Sequence, residues 1–351
     1  MAEYKNILVV QTAFLGDVIL TLPLVQTLKN VFPDANIDFV AVPRAAHVLR
    51  SHPDIRQTIV YDKRGSDAGI AGLLRMRRTL RANTYGLALV PHRSLRSAVL
   101  VAAASIPRRI GFNASAGRFL FTDTVRYEKS LHEVDRNARL LDPLNIVAGS
   151  KDFPHLYPSR EDCAEVDRFL FSQWKNKTRK IIGIAPGTVW NTKRWPTANF
   201  IELADRLRSD GFHIVLVGGE EDTKLCSEIC SAMADSSTIS AAGKLTVLQS
   251  AELIRRCRLL VSNDSAPVHL AVAVQTPVVA IFGATVPEFG FAPYGQHDVV
   301  VETKGLSCRP CSIHGGDACP ISTFDCMKRI PAYNVYQSIR AVLDKVGTKE
   351  S

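Results

Sequence analysis

Short β-rich runs alternate with longer amphipathic runs through both halves of the chain, and this alternation restricts the fold to parallel βαβ units. In the first half, strand-like runs at 5–11, 36–42, 57–61 and 86–90 precede helical patterns at 18–32, 45–51, 69–82 and 95–105. The second half repeats the scheme, with strands expected at 180–185, 212–217, 239–242, 259–261 and 278–282. Helices are expected there at 198–209, 221–234, 247–256 and 267–274. A chain of 351 residues exceeds one ordinary core and suits two. The expected fold class is therefore α/β, with two doubly wound Rossmann-like domains facing a cleft. Their expected bounds are 1–150 and 180–330, followed by a helix at 331–351. Residues 151–179 read as a linker, because they hold Pro154, Pro158, a candidate capping box at Ser159-Arg-Glu-Asp162 and part of a polar run from Lys175 to Lys180.

Apolar residues make up 46% and charged residues 22%, which argues against disordered and fibrous classes. No apolar run reaches the roughly 18 residues a membrane helix needs. The early stretch from Ile7 to Leu20 is interrupted by Gln11, Thr12, Gly16 and Asp17, which suits a strand and a helix better than a secretory signal. The expected location is the cytoplasm, where eight cysteines are thiols or metal ligands rather than a disulfide framework.

The charge is uneven. Between Lys63 and Arg109, Lys63, Arg64, Arg75, Arg77, Arg78, Arg81, Arg93, Arg96, Arg108 and Arg109 face Asp67 alone, so this stretch has a net charge of +9. Such a surface serves a phosphorylated substrate or anionic lipid head groups, or is simply a solvated helix face. Nucleic acid is not expected as a partner, since Tyr85 is the one aromatic residue in the stretch and no binding module is recognisable.

Neither half carries G-x-G-x-x-G after its first strand or a Walker lysine motif, so phosphate binding has to rely on plain helix N-termini. Asp17 follows Gly16 where the first strand should turn into its helix, the place where open α/β sheets put ligands. Gly16 permits close approach and the helix dipole favours an ionised carboxylate, ready to accept a proton; a simple helix cap fits the same position. In Ser262-Asn-Asp264-Ser265-Ala266-Pro267, the N–H groups of Ser265, Ala266 and Val268 are expected to lie free for a diphosphate, with ordinary capping as the competing account. Asp264 itself is better suited to backbone or sugar hydroxyls than to phosphate, which it would repel.

The loop Pro186-Gly187-Thr188-Val-Trp190-Asn-Thr-Lys193-Arg194-Trp195-Pro196 enters the same expected cleft. Thr188 can donate to a phosphate oxygen and Lys193 can neutralise a leaving diphosphate, while Trp190 and Trp195 serve the ligand or anchor the loop. Gly218-Gly219-Glu220-Glu221 supplies a carboxylate, Glu221 for preference, to a ribose diol. Cys308, Cys311, Cys319 and Cys326 match a structural zinc site in count but not in common spacing, and packed thiols are the alternative. A catalytic metal is not expected, and no cofactor is required.

Together these segments resemble the heptosyltransferase family of glycosyltransferases, which build the inner core of lipopolysaccharide, over nearly the whole chain. The resemblance rests on Gln11-Thr-x-Phe-Leu-Gly16-Asp17-Val-Ile-Leu-Thr-Leu-Pro23, Ser94-Leu-Arg96-Ser97-Ala, Arg108-Arg-Ile-Gly111-Phe and His132-Glu-x-x-Arg136-Asn. Further carriers are Pro186-Gly-Thr188 with Lys193-Arg194-Trp195-Pro196, and Ser262-Asn-Asp264-Ser265-x-Pro267-x-His269. The tail Cys308-Arg-Pro-Cys311 to Cys319-Pro and Cys326-Met resembles the heptosyltransferase II branch. The resemblance implies a GT-B fold and inverting transfer of heptose from ADP-heptose to a phosphorylated lipid A inner core, at the cytoplasmic face of the inner membrane. It implies Asp17 as general base, with Thr188, Lys193, Asp264, Ser265, Ala266 and His269 on the donor side. Gly16, Arg96 and Arg118 fall on the acceptor side. Ala266 departs from the glycine of many relatives, so a neighbouring N–H is expected to take over the phosphate contact. A related transferase or epimerase using another nucleotide sugar, or a nucleotide-binding protein without the reaction, would share many of these features.

Overall fold

The structure is a computed structural model and describes residues 4–147, 153–175, 180–233 and 235–347. Its contacts divide the chain into two units, Met1–Tyr157 and Pro158–Ser351. The first contains strands β1 (Asn6–Val10), β2 (Asn36–Ala41), β3 (Gln57–Val60), β4 (Leu87–Val90), β5 (Arg108–Phe112) and β6 (Asp123–Val125). They form a parallel sheet in the order β3-β2-β1-β4-β5-β6. The second contains β7 (Ile181–Ala185), β8 (His213–Leu216), β9 (Thr238–Ser240), β10 (Leu259–Asn263), β11 (Val278–Phe282) and β12 (Val299–Glu302), parallel in the order β12-β11-β10-β7-β8-β9. Read from its far edge, the second order repeats the first. Both have the doubly wound Rossmann topology, in which the strand order reverses beside the first strand of each unit.

Helices cover both faces of each sheet, so the central strands are nearly continuous apolar runs: Leu-Ala-Leu-Val in β4 and Val-Val-Ala-Ile-Phe in β11 are buried throughout. Three strands went unread in the alternation above. β5 opens with two arginines, β6 is three residues long, and β12 is a half-buried edge. Gly111 in β5 is required sterically, since a Cβ there would lie 2.2 Å from the Phe121 ring. The helix expected over 18–32 is two helices, Leu15–Ile19 and Leu22–Val31. Pro23 has no N–H to continue the first and sits at the start of the second.

The stretch read as a linker contains the helix Arg160–Gln173, which counts with the second unit. Its capping box forms as spaced: Asp162 N–H donates to Ser159 Oγ at 3.1 Å, and Ser159 N–H donates to Asp162 Oδ2 at 2.9 Å. Residues 151–152, 176–179 and 348–351 of the expected linker and final helix lie outside the described residues. The final helix, Ala332–Gly347, places Val335, Ile339 and Val342 in the core of the second unit with Trp195 and Phe200.

A buried histidine and a half-buried one tie the stability of the first unit to pH. Burial holds His52 down to about 4 from 6.5, with His155 adding to the effect. His92 is likewise lowered to about 4 from 6.5 by burial, then by Lys63 and Arg93. The unfolded chain therefore takes up these protons first, so stability is intact above pH 6.5 and falls as pH drops toward 4. The loss is about 2 kcal/mol per histidine at pH 5. Urea midpoints should fall between pH 7 and pH 5, and fall less in His52→Gln; equal falls in the two proteins would contradict the assignment.

Candidate active site

The carboxyl ends of β1, β3, β4 and β5 carry the polar groups of the first unit. After β1 the chain passes Gln11 and Thr12 and enters Leu15–Ile19, whose first turn holds Asp17. The Asp17 carboxylate is half-buried and accepts the Phe14 N–H at 3.1 Å, which fixes its direction at the helix start. Lys63, after β3, donates its ammonium to Thr12 O at 2.6 Å and ties the loops after β1 and β3 together. His92, after β4, lies 2.8 Å from Thr12 Oγ1 and 3.0 Å from Ser97 Oγ.

Arg96, expected to meet the acceptor, uses its guanidinium within the unit. It donates to Tyr61 Oη at 2.5 Å and to Asp67 O at 2.7 Å, and lies over the Tyr61 ring. Its position therefore shapes the 62–69 loop. Arg108 and Arg109 similarly donate to backbone carbonyls, at Pro143 and Leu120. Arg64, Arg93 and Arg118 are exposed on the same rim, among the exposed apolar side chains Phe14, Ile70, Leu95 and Phe119. The basic stretch is thus part internal scaffold and part exposed cation.

Glu133, quoted in a motif above without a role, lies close enough to Asp17 for their charges to act on each other. Burial pushes its carboxyl up to about 7; Arg136 opposes the rise and Asp17 adds to it. Arg136 pairs with Glu133 at 3.1 Å and also binds Tyr127 Oη, over whose ring Arg93 is stacked at 4.1 Å. Asn137, on the same helix, donates to Leu20 O at 3.2 Å, fastening this group to the segment that carries Asp17. The signal for this cluster was the spacing of Glu133, Arg136 and Asn137 along one short helix.

In the second unit, the loop after β7 and the turn after β10 meet through Asn263. Its Nδ2 donates to Pro186 O at 2.8 Å, and its Oδ1 accepts the Trp195 N–H at 3.1 Å. Trp195 is fully buried, with its indole N–H on Ile330 O at 2.9 Å, so it anchors the loop. That anchoring brings Lys193 Nζ to 2.6 Å from Asp264 Oδ2, in a pair only 13% and 10% exposed. Thr285 Oγ1 donates to the same carboxylate oxygen at 2.5 Å. Asp264 thus faces Lys193, as its charge requires, at the start of the helix Ala266–Ala273.

One expectation at this helix start is corrected. The Val268 N–H is not free; it donates to Ser265 O at 3.1 Å and closes the first turn. The Ser265 and Ala266 N–H groups have no partner among the described residues. His269 is buried one turn in, and Thr188 is half-buried at the loop start. Glu221 is exposed in the turn Glu220–Asp222. Asp222, unread in the sequence, turns inward and accepts the Gly219 N–H at 2.9 Å. Its carboxylate occupies the space a Cβ would need at Gly187, 2.0 Å away, so a side chain there would displace Asp222.

Among the described residues no three His, Cys, Asp or Glu side chains are grouped to hold a metal ion. Yet Cys311, Cys319 and Cys308 all lie near enough to Cys326 to add to the rise that burial gives its thiol. Cys311 Sγ donates to Cys308 O at 3.2 Å. Cys319 is held below the ordinary thiol value by backbone N–H groups, that of Phe324 foremost. The arginine between the first two cysteines, Arg309, makes buried contacts that their spacing does not reveal. It is 6% exposed, pairs with Glu302 at 2.7 Å and donates to Thr285 O at 2.7 Å.

Residues 73–316 match the sequence model of glycosyltransferase family 9 (heptosyltransferase). The chain is 29% identical over 293 residues to lipopolysaccharide heptosyltransferase 2 of Salmonella typhimurium strain LT2, covering 81% of this chain and 84% of that one. Among solved structures, the family 9 glycosyltransferase of Veillonella parvula superposes with a TM-score of 0.89 at 26% identity, over 98% of this chain and 99% of that one. The E. coli ADP-heptose lipopolysaccharide heptosyltransferase II gives 0.80 at 25% identity, over 97% and 99%. The paired Rossmann units are accordingly the GT-B fold. This chain belongs to glycosyltransferase family 9, the heptosyltransferases.

Proposed function

We propose that the enzyme transfers L-glycero-D-manno-heptose from ADP-heptose to the phosphorylated inner core of lipopolysaccharide with inversion, in the manner of heptosyltransferase II. The observation that carries this reading is the Lys193–Asp264 pair at a helix start whose Ser265 and Ala266 N–H groups have no partner among the described residues. As the bond from the anomeric carbon to the diphosphate breaks, negative charge grows on the departing ADP. A fixed ammonium and aligned N–H dipoles stabilise that charge without reorganising. Thr188 donates to a phosphate oxygen, Glu221 meets the ribose diol, and His269 belongs to the helix turn that supports the site. The sugar and the nucleotide follow from the names of the relatives, one a heptosyltransferase 2 and the other an ADP-heptose enzyme.

On the acceptor side Asp17 takes the proton of the attacking hydroxyl, whose oxygen forms the new bond as ADP leaves with the electron pair of the old one. Gly16 leaves room beside it. No cofactor or metal takes part in this reading. The exposed Arg64, Arg93 and Arg118, interleaved with Phe14, Ile70, Leu95 and Phe119, suit an anionic amphiphile and peripheral contact with an anionic bilayer. Arg96 contributes by shaping the 62–69 loop that borders them. The enzyme then works at the cytoplasmic face of the inner membrane.

Asp17→Ala should lose about 10²–10⁴-fold in turnover while ADP affinity, measured by calorimetry, stays unchanged. Full turnover in that variant would remove Asp17 from the chemistry, and EDTA should leave the wild-type rate unaltered. Binding to vesicles containing anionic lipid should weaken as salt rises. At a fixed low salt concentration Arg118→Gln should bind about fivefold more weakly than the wild type, the equivalent of roughly 1 kcal/mol per cation. Salt-independent binding would return these arginines to a solvated face.

A further inference from the structure

The segment 308–317 meets Lys193 directly and reaches Asp264 through Thr285. On the aspartate side, Arg309 is buried and donates through Nη2 to Thr285 O at 2.7 Å and through Nε to the same oxygen at 3.2 Å. The neighbouring Cys311 N–H donates to Ala284 O at 3.0 Å. These bonds fix the backbone of Thr285, whose hydroxyl donates to the Asp264 carboxylate. On the lysine side, Gly316 N–H donates to Thr192 Oγ1 at 2.8 Å and Thr192 N–H donates to Gly316 O at 3.0 Å. Asn191 Nδ2 adds a bond to Asp317 O at 3.2 Å.

Gly315 completes the contact. Its φ of +89° belongs to the left-handed region, and a Cβ there would lie 3.1 Å from Trp190 Cβ, 3.2 Å from Lys193 Cγ and 3.3 Å from Lys193 Cε. The aliphatic stem of Lys193 therefore lies along bare glycine backbone. A flexible four-carbon stem would otherwise let the ammonium wander over several rotamers. Burial of Thr192, at 2% exposure, makes its hydroxyl an obligate partner for the Gly316 N–H.

We propose that 308–317 is a two-sided brace that positions the Lys193 ammonium for the departing diphosphate, with Thr192, Gly315 and Arg309 as its positioning residues. This rests on the reading of Lys193 as the donor-side cation. None of the three touches substrate; each acts through the ion pair. A displacement of the ammonium by about 1 Å is enough to cost on the order of 10²-fold in rate.

The test is a double-mutant cycle with ADP-heptose as donor and an inner-core acceptor, read as kcat/KM for the donor. Thr192→Val keeps the side-chain volume and removes the acceptor for Gly316. It should lower kcat/KM about 10²-fold, and Thr192→Ser should restore most of it. In a Lys193→Ala background, Thr192→Val should cost nothing further, because the group it positions is gone. Melting temperatures of all variants identify any that fail to fold. Gly315→Ala serves as a second variant that meets the Lys193 stem directly, with the same expected dependence on Lys193. The brace is overturned if Thr192→Val and Gly315→Ala leave kcat/KM unchanged, or if each costs the same factor with and without Lys193. Wild-type activity in Lys193→Ala alone would overturn the donor-side role of Lys193 and the brace with it. Loss there without loss in Thr192→Val overturns the brace alone.

Discussion

A parallel sheet covered on both faces has little room for polar chemistry except at its rims, and this chain builds two such sheets in the same strand order. The central strands are paired on both sides, and nearly all of their side chains are buried. Charged groups that do work must therefore sit where strands end and helices begin. Asp17 lies at such a junction after β1, and the Lys193–Asp264 pair at another, between the loop after β7 and the turn after β10. Because β1 and β7 each stand where the strand order reverses, the loops beside them diverge and leave their helix starts accessible.

The ion pair has a cost that the fold offsets through hydrogen bonds. Taking a lysine and an aspartate largely out of water is unfavourable unless the remaining donors and acceptors are satisfied. The Asp264 carboxylate accepts from Thr285 Oγ1 at 2.5 Å besides Lys193, and the Lys193 backbone N–H is held by Trp190 O at 3.0 Å in its loop. Removing one partner of such a pair destabilises a protein by about 3–5 kcal/mol, whereas apolar replacement of both is often neutral. A pair of this kind at a helix start is thus better explained by the preorganised charge it presents than by the stability it adds. The cluster around Asp17 in the first unit follows a different principle. There the second carboxyl, Glu133, is kept high by burial and by Asp17, with Arg136 as counter-ion.

Much of this was legible in the sequence because it depended on local pattern. Apolar runs such as those of β1, β4, β7 and β11 announce buried parallel strands, and the spacing Gly16-Asp17 or Asn263-Asp264 after such a run places a carboxylate at a helix start. Pro23 was visible as well, yet the helical periodicity on either side of it masked the break it causes. What escaped depends on contacts remote in sequence. Arg309 meets Thr285 and Glu302, Gly316 meets Thr192, and Arg96 turns inward to Tyr61 and Asp67, none of which any spacing rule encodes. The cysteines drew attention by their count, while the residues between and beside them carried the geometry.

In the proposed transfer two rims, each a strand-to-helix junction, supply a base for an acceptor hydroxyl and a cradle for departing ADP. The measurement that reaches it most directly is mass spectrometry of the products formed from a panel of nucleotide sugars and inner-core acceptors. The account predicts one heptose added to the acceptor and one ADP released for each transfer, with ADP-heptose far preferred over other donors. Binding of ADP without transfer to any inner-core acceptor, or preferred transfer from a different nucleotide sugar, would contradict it.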